Sequence, residues 1–384
     1  MENKPLVSLV VPTKNRYPYL VKLIELLETF NFGPEFELVI QDNNEDNSKF
    51  LEYLKNKNIP YLRYYYDNTP MPVGPNCDNA IRNSKGEYVC FIGDDDLVTE
   101  NFMPCVSWMV KNNIECVFPK RIMYFWPDYC DSGNERSAVH HEPFTDNITF
   151  IDTKQALEGV MRAGCIYPGK LPMIYHGIVK RSVLEKIWDK CGTLFPGASP
   201  DIASGVSLSM VIDKYATFSF PIIIAGNSRT GGGGQRVIKH NAVEDFSKIP
   251  FLPKNIGEVW CPRVPRIWSN ATIWSESAIE ALRAWGRTDL IDKINYEALY
   301  EHFAINYFYF RKYSFALTKN KTKLALLTAK GLVILYSKNA IKYILHKLHL
   351  HIRNTRIIVE GIDDSRQLCE HFKKEGYYFC SHFQ

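Results

Sequence analysis

The sequence predicts an α/β fold built on a mainly parallel sheet flanked by helices, and three observations carry that expectation. Apolar runs of strand length alternate with helical periodicity through the first hundred residues. The first, second and fourth of those runs each end in a polar cluster. The composition, 46% hydrophobic and 23% charged over 384 residues, is that of a globular chain. It suits one large α/β domain or two ordinary ones, and it excludes disordered and collagen-like chains.

The first strand is the continuous apolar run 6–11, interrupted by one serine, as in a buried parallel strand. Residues 19–30 place apolar side chains at helical spacing. Residues 36–40 form the second strand, 48–57 a helix, and 61–66 a third, aromatic-rich strand. A helix over 76–83 stops at Lys85-Gly86, and 88–92 is the fourth strand. A βαβαβαβ order implies parallel strands joined by right-handed crossovers. The middle is less regular: a strand over 175–180 leads into a helix over 182–189, Asp201 opens a helix over 202–215, and 220–225 is a further strand. Four consecutive glycines, Gly231 to Gly234, make the most flexible point. Beyond them the pattern is helical, over 271–285 and 296–313. The expected division is a domain over 1–235 and a helical, basic region over 236–384.

Nothing at the start resembles a basic, apolar leader, so no secretory signal is expected. No run is read as reaching the roughly 18 apolar residues of a spanning helix. The ten cysteines are scattered with no CxxC pair, and several lie in apolar runs, so they read as reduced core residues of a cytoplasmic protein. The net charge is only +4, but residues 302–359 hold eleven Lys and Arg and no Asp or Glu.

In open parallel sheets ligands bind beyond the carboxyl ends of the strands, where the polar clusters fall. Asp94-Asp95-Asp96 follows the fourth strand. Three adjacent carboxylates repel one another unless a divalent cation or a dense hydrogen-bond network neutralises them. Taken alone the triplet is equally well a solvated acidic turn; its place at a buried strand end favours Mg²⁺ or Mn²⁺, with Asp95 and Asp94 as ligands. Asp42, just past the second strand, could accept from a pyrimidine imide or from ribose hydroxyls, or simply cap a turn.

The segments Ser8-Leu9-Val10-Val11-Pro12-Thr13-Lys14-Asn15-Arg16, Leu38-Val39-Ile40-Gln41-Asp42-Asn43-Asn44 and Ala80 through Asp96 resemble family 2 glycosyltransferases in order and spacing. The resemblance covers roughly residues 5–230. It implies a GT-A fold, a nucleotide-diphosphate sugar donor, a "DXD"-type metal site and inverting, hexosyltransferase-type transfer in surface polysaccharide or glycoconjugate synthesis. Carried over by position, Pro12, Thr13 and Arg16 contact the nucleoside, Asp42 reads the base, Asp94 touches ribose or metal, Asp95 ligates the metal and Asp96 supports the cluster. The catalytic base falls on Asp201 in Ser199-Pro200-Asp201, the alternative being a helix cap. His176 is a weaker candidate for the acceptor side, against a purely structural role.

Departures from the family pattern are informative. Asn76-Cys77-Asp78 replaces a common Ala-Arg-Asn, so a donor-binding arginine is missing. Arg236 and Lys239, beyond the glycine run, are then candidates for a lid over the diphosphate, unless they belong to an ordinary surface loop. His240 is a weak further metal candidate. The basic stretch 319–356 reads as an amphipathic helix for an anionic membrane surface serving a lipid-linked or glycan acceptor, or as a packed domain with a solvated basic face. No nucleic-acid motif accompanies it. Two other readings stand beside the transferase: a sugar nucleotidyltransferase, disfavoured because the first loop lacks glycines, and a non-catalytic nucleotide- or sugar-binding module.

Overall fold

The computed structural model describes residues 4–129, 137–145, 147–229, 242–249, 255–347 and 357–374. The amino-terminal half runs β1 (Val7–Thr13), α1 (Tyr17–Leu27), β2 (Phe36–Asp42), α2 (Ser48–Leu54), β3 (Leu62–Tyr66), α3 (Val73–Arg82), β4 (Tyr88–Phe91), β5 (Leu97–Val98) and α4 (Phe102–Lys111). Next come β6 (Cys116–Val117), β7 (Ile122–Phe125), β8 (Ala138–His141), β9 (Thr149–Asp152), α5 (Thr153–Arg162), β10 (Ile178–Lys180), α6 (Arg181–Cys191) and α7 (Pro200–Val211). They are followed by β11 (Lys214–Thr217), β12 (Ile223–Asn227), β13 (Ala242–Val243), α8 (Ile256–Val259), β14 (Trp268–Ser269) and α9 (Asn270–Ala284). The chain closes with α10 (Thr288–Ile291), α11 (Tyr296–Asn306), α12 (Lys312–Leu317), α13 (Lys321–Lys347), β15 (Ile357–Glu360) and α14 (Ser365–Lys374).

The main sheet has eight strands in the order β3-β2-β1-β4-β10-β6-β11-β9. The four strands expected from the alternating pattern are parallel to one another. Period-two alternation sends Leu9, Leu38 and Cys90 to one face, where they pack with Leu20, Leu23 and Ile24 of α1. Val10, Val39, Val89 and Phe91 go to the other face, against Ala80 and Ile81 of α3 and Val183, Leu184 and Ile187 of α6. Pro12 is tolerated in β1 because pairing with β4 ends at Val10, so no ladder bond is lost on that side.

A second sheet, β15-β8-β7-β12-β5, was not expected. Its strands are short and interrupted, and β15 comes from the region read as helical. The strand expected over 220–225 begins at Ile223 and belongs to this sheet, paired parallel with β7. The strand expected over 175–180 is cut to three residues, because His176 takes a left-handed conformation (φ 64°) that a strand cannot continue through. The helix expected over 296–313 breaks at Tyr307 into α11, a short 3₁₀ turn and α12.

Described helices beyond residue 255 do not stand apart. Ile273, Ile279 and Leu282 of α9 and Leu299 of α11 share a core with Leu157 and Val160 of α5 and Ile202 and Val206 of α7. Gly197 (φ 127°) lets the chain pass Ser277, where an added Cβ would sit 2.9 Å from the Ser277 Cα. The expected boundary near residue 235, like the four glycines, lies outside the described residues.

The tail corrects the reading that no segment is long and apolar enough to cross a membrane. Lys321–Ile341 is such a segment by length and composition, with mean hydropathy 1.3 and only 11% of it buried. Leu324 and Thr328 anchor α13, and Gly331 lies against Ile305, leaving no room for a Cβ. At about 100° per residue, Leu326, Val333 and Tyr336 fall on the opposite side; they are 66–69% exposed. The apolar face of this helix therefore points outward, with Lys323 and Lys330 beside it, and is not folded against the domain.

Candidate active site

The site forms where β1 and β4 end side by side. Asn15 takes a left-handed conformation (φ 60°), which asparagine tolerates better than most residues. That turn delivers Arg16, the residue preceding α1, toward the end of β4. There Asp94, Asp95 and Asp96 are 3%, 5% and 0% exposed, so the triplet is a buried cluster and not a solvated turn.

Each carboxylate has its own partners. Asp96 Oδ2 accepts from the Gly93 amide (2.7 Å), Tyr175 Oη (2.8 Å) and His176 Nε2 (2.7 Å), and its Oδ1 accepts from the Gly226 amide (2.7 Å). Both of its oxygens are thereby occupied, which makes it a structural hub. Asp94 accepts from Thr13 Oγ1 (2.8 Å) and pairs with Arg16 Nη1 (2.9 Å). Asp95 pairs with Arg16 Nη2 and accepts from Ser228 Oγ (2.6 Å). Arg16 Nη2 also donates to Ser228 Oγ (2.6 Å).

The electrostatics follow. Burial, joined by the charges of Asp95 and Asp96, pushes the Asp94 carboxyl up to about 7 despite Arg16. Burial and Asp96 also raise Asp95, against the pull of Arg16 and Ser228. Burial opposes ionisation of Asp96 too, but the charge and hydrogen bond of His176, with Gly93 and Tyr175, outweigh it and hold this carboxyl below its ordinary value. The cluster is thus short of positive charge around Asp94 and Asp95.

A cavity of about 340 Å³ opens beside it, lined by Pro12, Thr13, Lys14, Arg16 and Asp94 together with Asn76, Tyr175, Pro200 and Asp201. Five residues singled out from the sequence meet on this one surface. Asp201 occupies the first turn of α7 while Ser199 takes the cap position, so Asp201 is not the cap residue. Among the described residues nothing hydrogen-bonds its carboxylate. Burial raises its pKa, with Arg121 and His176 pulling the other way.

Two placements differ from expectation. Asp42 is fully buried and off the cavity wall: its carboxylate accepts from Tyr17 Oη and Tyr64 Oη (2.6 Å each) and from the amide and side chain of Asn44. Its neighbour Asn43 lines the cavity instead. His176 does not line it either, because the residue is buried, with its ring stacked on Tyr175 and bonded to Asp96. Arg236, Lys239 and His240 lie outside the described residues. Ser228 and Gly226 carried no sequence signal, since they reach the triplet from β12, over a hundred positions away.

Among the described residues no three His, Cys, Asp or Glu side chains are arranged to hold a metal. Two carboxylate oxygens, Asp94 Oδ1 and Asp95 Oδ2, do converge on a single cationic group, the Arg16 guanidinium. Mg²⁺ and Mn²⁺ are commonly held by one or two carboxylates completed by water and substrate phosphates. The residues present fit such an ion.

A family model described as "Glycosyl transferase family 2" matches residues 8–192, which spans β1 through α6 and includes the triplet. This segment is a family 2 glycosyltransferase domain. Over 94 residues, 24% of the chain and 30% of the relative, the protein is 32% identical to the GalNAc(5)-diNAcBac-PP-undecaprenol beta-1,3-glucosyltransferase of Campylobacter jejuni. It is 26% identical over 101 residues, 26% of the chain, to the colanic acid biosynthesis glycosyl transferase WcaA of Escherichia coli K12, of which it covers 36%. The chain thus spans about a third of the length of these relatives. Among solved structures, S. aureus TarS 1–349 in complex with UDP-GlcNAc aligns over 85% of this chain and 79% of its own, at 18% identity and a TM-score of 0.47.

In this family 2 domain the raised Asp94 carboxyl gives a testable sign. Between its unfolded value near 3.8 and its folded value near 7, the folded protein holds a proton that the unfolded chain has lost. The stability this group contributes is therefore complete below about pH 4 and is lost as pH rises through about 7. In ligand-free thermal melts, Asp94→Asn should gain on wild type steadily from pH 5 to pH 8. A difference that stays constant or shrinks would contradict this charge assignment.

Proposed function

We propose that the protein is an inverting glycosyltransferase that moves a sugar from a nucleotide-diphosphate donor to an acceptor hydroxyl in surface polysaccharide or glycoconjugate synthesis. The observation that carries this reading is the single cavity in which Asp94 and Arg16 share a wall with Asp201. A displacement at an anomeric carbon needs cationic groups for the leaving diphosphate and a carboxylate for the attacking hydroxyl. Both lie on one surface, in a chain whose first half is a family 2 domain.

In this reading Thr13, Arg16 and Asn43 receive the nucleotide, and Lys14 adds positive charge beside the phosphates. Asp94 and Asp95 would hold Mg²⁺ or Mn²⁺, which when bound stabilises negative charge on the departing diphosphate. The acceptor hydroxyl gives its proton to the Asp201 carboxylate. Its oxygen bonds to the anomeric carbon on the face opposite the diphosphate, whose C–O bond breaks. The carboxylate lacks competing hydrogen bonds among the described residues, and burial makes it a stronger base than an ordinary aspartate. Tyr175 lines the same cavity and offers a ring to a sugar face. A non-catalytic binding module would have no use for Asp201.

The relative from Campylobacter jejuni is named for an undecaprenol-linked substrate, and a lipid-linked acceptor would suit this chain too. The outward apolar face of α13, with lysines beside it in a stretch without acidic residues, favours work at the cytoplasmic face of an anionic membrane.

Two measurements test these statements. In the presence of Mn²⁺ and a panel of nucleotide sugars, Asp201→Asn should lose about 10²–10⁴-fold in donor turnover while keeping donor affinity. Unchanged turnover would remove Asp201 from the reaction. Vesicles containing phosphatidylglycerol should sediment the wild-type chain, and the triple change Leu326→Ser, Val333→Ser, Tyr336→Ser should weaken that binding at least about tenfold. A wild-type chain that stays in the supernatant would end the membrane reading.

A further inference from the structure

We propose that Arg16 is a resident counter-cation of the acidic strand end, which a divalent ion must displace before it can bind Asp94 and Asp95. The inference deepens the transferase reading and rests on its assignment of those two carboxylates to a metal.

Three observations carry it. First, the oxygens that would ligate the ion are the ones Arg16 already holds: Nη1 lies 2.9 Å from Asp94 Oδ1, and Nη2 pairs with Asp95 Oδ2. One guanidinium bridges two different carboxylates instead of forking onto one, so it fills the position between them. Second, those oxygens have no other charge partner. Among the described residues no other Lys or Arg pairs with the triplet, and His176 is committed to Asp96. Third, Arg16 is held by polar contacts that can be exchanged. Its side chain is 18% exposed, its Nε is buried without a hydrogen-bond partner among the described residues, and it lines the cavity beside Thr13 and Lys14.

A divalent ion and a guanidinium cannot share the same two oxygens, because their charges repel and their positions overlap. Entry of the ion would push the guanidinium off Asp95 and Asp94. Its backbone stays fixed by the bond from the Tyr19 amide to the Arg16 carbonyl (3.1 Å), so only the side chain turns. The freed guanidinium remains on the cavity wall, where a diphosphate would be the natural anion for it. This answers the arginine missing from Asn76-Cys77-Asp78: the cation for the diphosphate is stored on the metal site itself.

The test is Mn²⁺ binding, measured by titration calorimetry and by loss of the free-ion electron paramagnetic resonance signal, with no nucleotide present. Arg16→Gln should bind Mn²⁺ at least about tenfold more tightly than wild type. Adding Asp95→Asn to that variant should abolish the gain. Arg16→Lys keeps one charge but cannot bridge both carboxylates, so its affinity should fall between the two; it carries the test if thermal melts show Arg16→Gln to be unfolded. Equal or weaker binding in the Arg16 variants, with wild type still binding through Asp95, would overturn the exchange and leave the metal assignment standing. No Mn²⁺ binding in any of these proteins would overturn both.

Discussion

Three consecutive carboxylates buried at the end of β4 are the constraint on which the surrounding structure depends. Left unpartnered in such a place, they would be driven to protonate or would destabilise the fold. Their partners come from four separate segments: Thr13 and Arg16 at and just past the end of β1, Gly93 beside the triplet, Tyr175 and His176 before β10, and Gly226 and Ser228 at the end of β12. The second sheet is thereby tied to the first at the triplet. Gly226 shows how close that approach is, since a Cβ there would lie 1.8 Å from the Asp95 carbonyl oxygen. The indole of Trp126, just beyond β7, also donates to that carbonyl at 2.8 Å.

This dependence explains the division of labour among chemically identical side chains. Asp96 is the most deeply placed and is surrounded by donors, so it stays ionised and organises the loop. Asp94 lines the cavity, and it and Asp95 share one arginine, whose charge does not offset their burial. Asp201 lines the same cavity from the first turn of α7, with its carboxylate free of hydrogen bonds among the described residues. The proposed roles of metal ligation, support and proton acceptance thus follow differences of environment and not of residue type.

The parts of this arrangement legible in the sequence were those carried by local pattern. Three of the four parallel strands, at residues 7–11, 36–40 and 88–91, could be read because both faces of the sheet are covered there, which forces largely apolar runs, whereas β3 at the sheet edge is only partly buried and was read from its aromatic residues. The triplet, Arg16 and Asp201 were legible because their residue types and spacing resemble a known family. What escaped was set by tertiary context. The strands of the second sheet are two to five residues long, too short for a periodic signal. Asp42 looked available because a strand-end carboxylate usually is, and only the fold brings Tyr17 and Tyr64 onto it. Gly86 was read as a helix stop, whereas its deeper reason is contact: a Cβ there would meet the Ser8 amide nitrogen at 2.5 Å. The outward face of α13 was hidden because the direction an apolar face points is not written in its periodicity.

The most direct test of the central claim is a crystal structure of the protein with Mn²⁺ and the nucleoside diphosphate that stabilises it best, using anomalous scattering to locate the metal. The account predicts one strong anomalous peak within coordination distance of Asp95 and Asp94, with the diphosphate in the cavity shared with Asp201. A peak elsewhere, or a nucleotide bound outside that cavity, would contradict it.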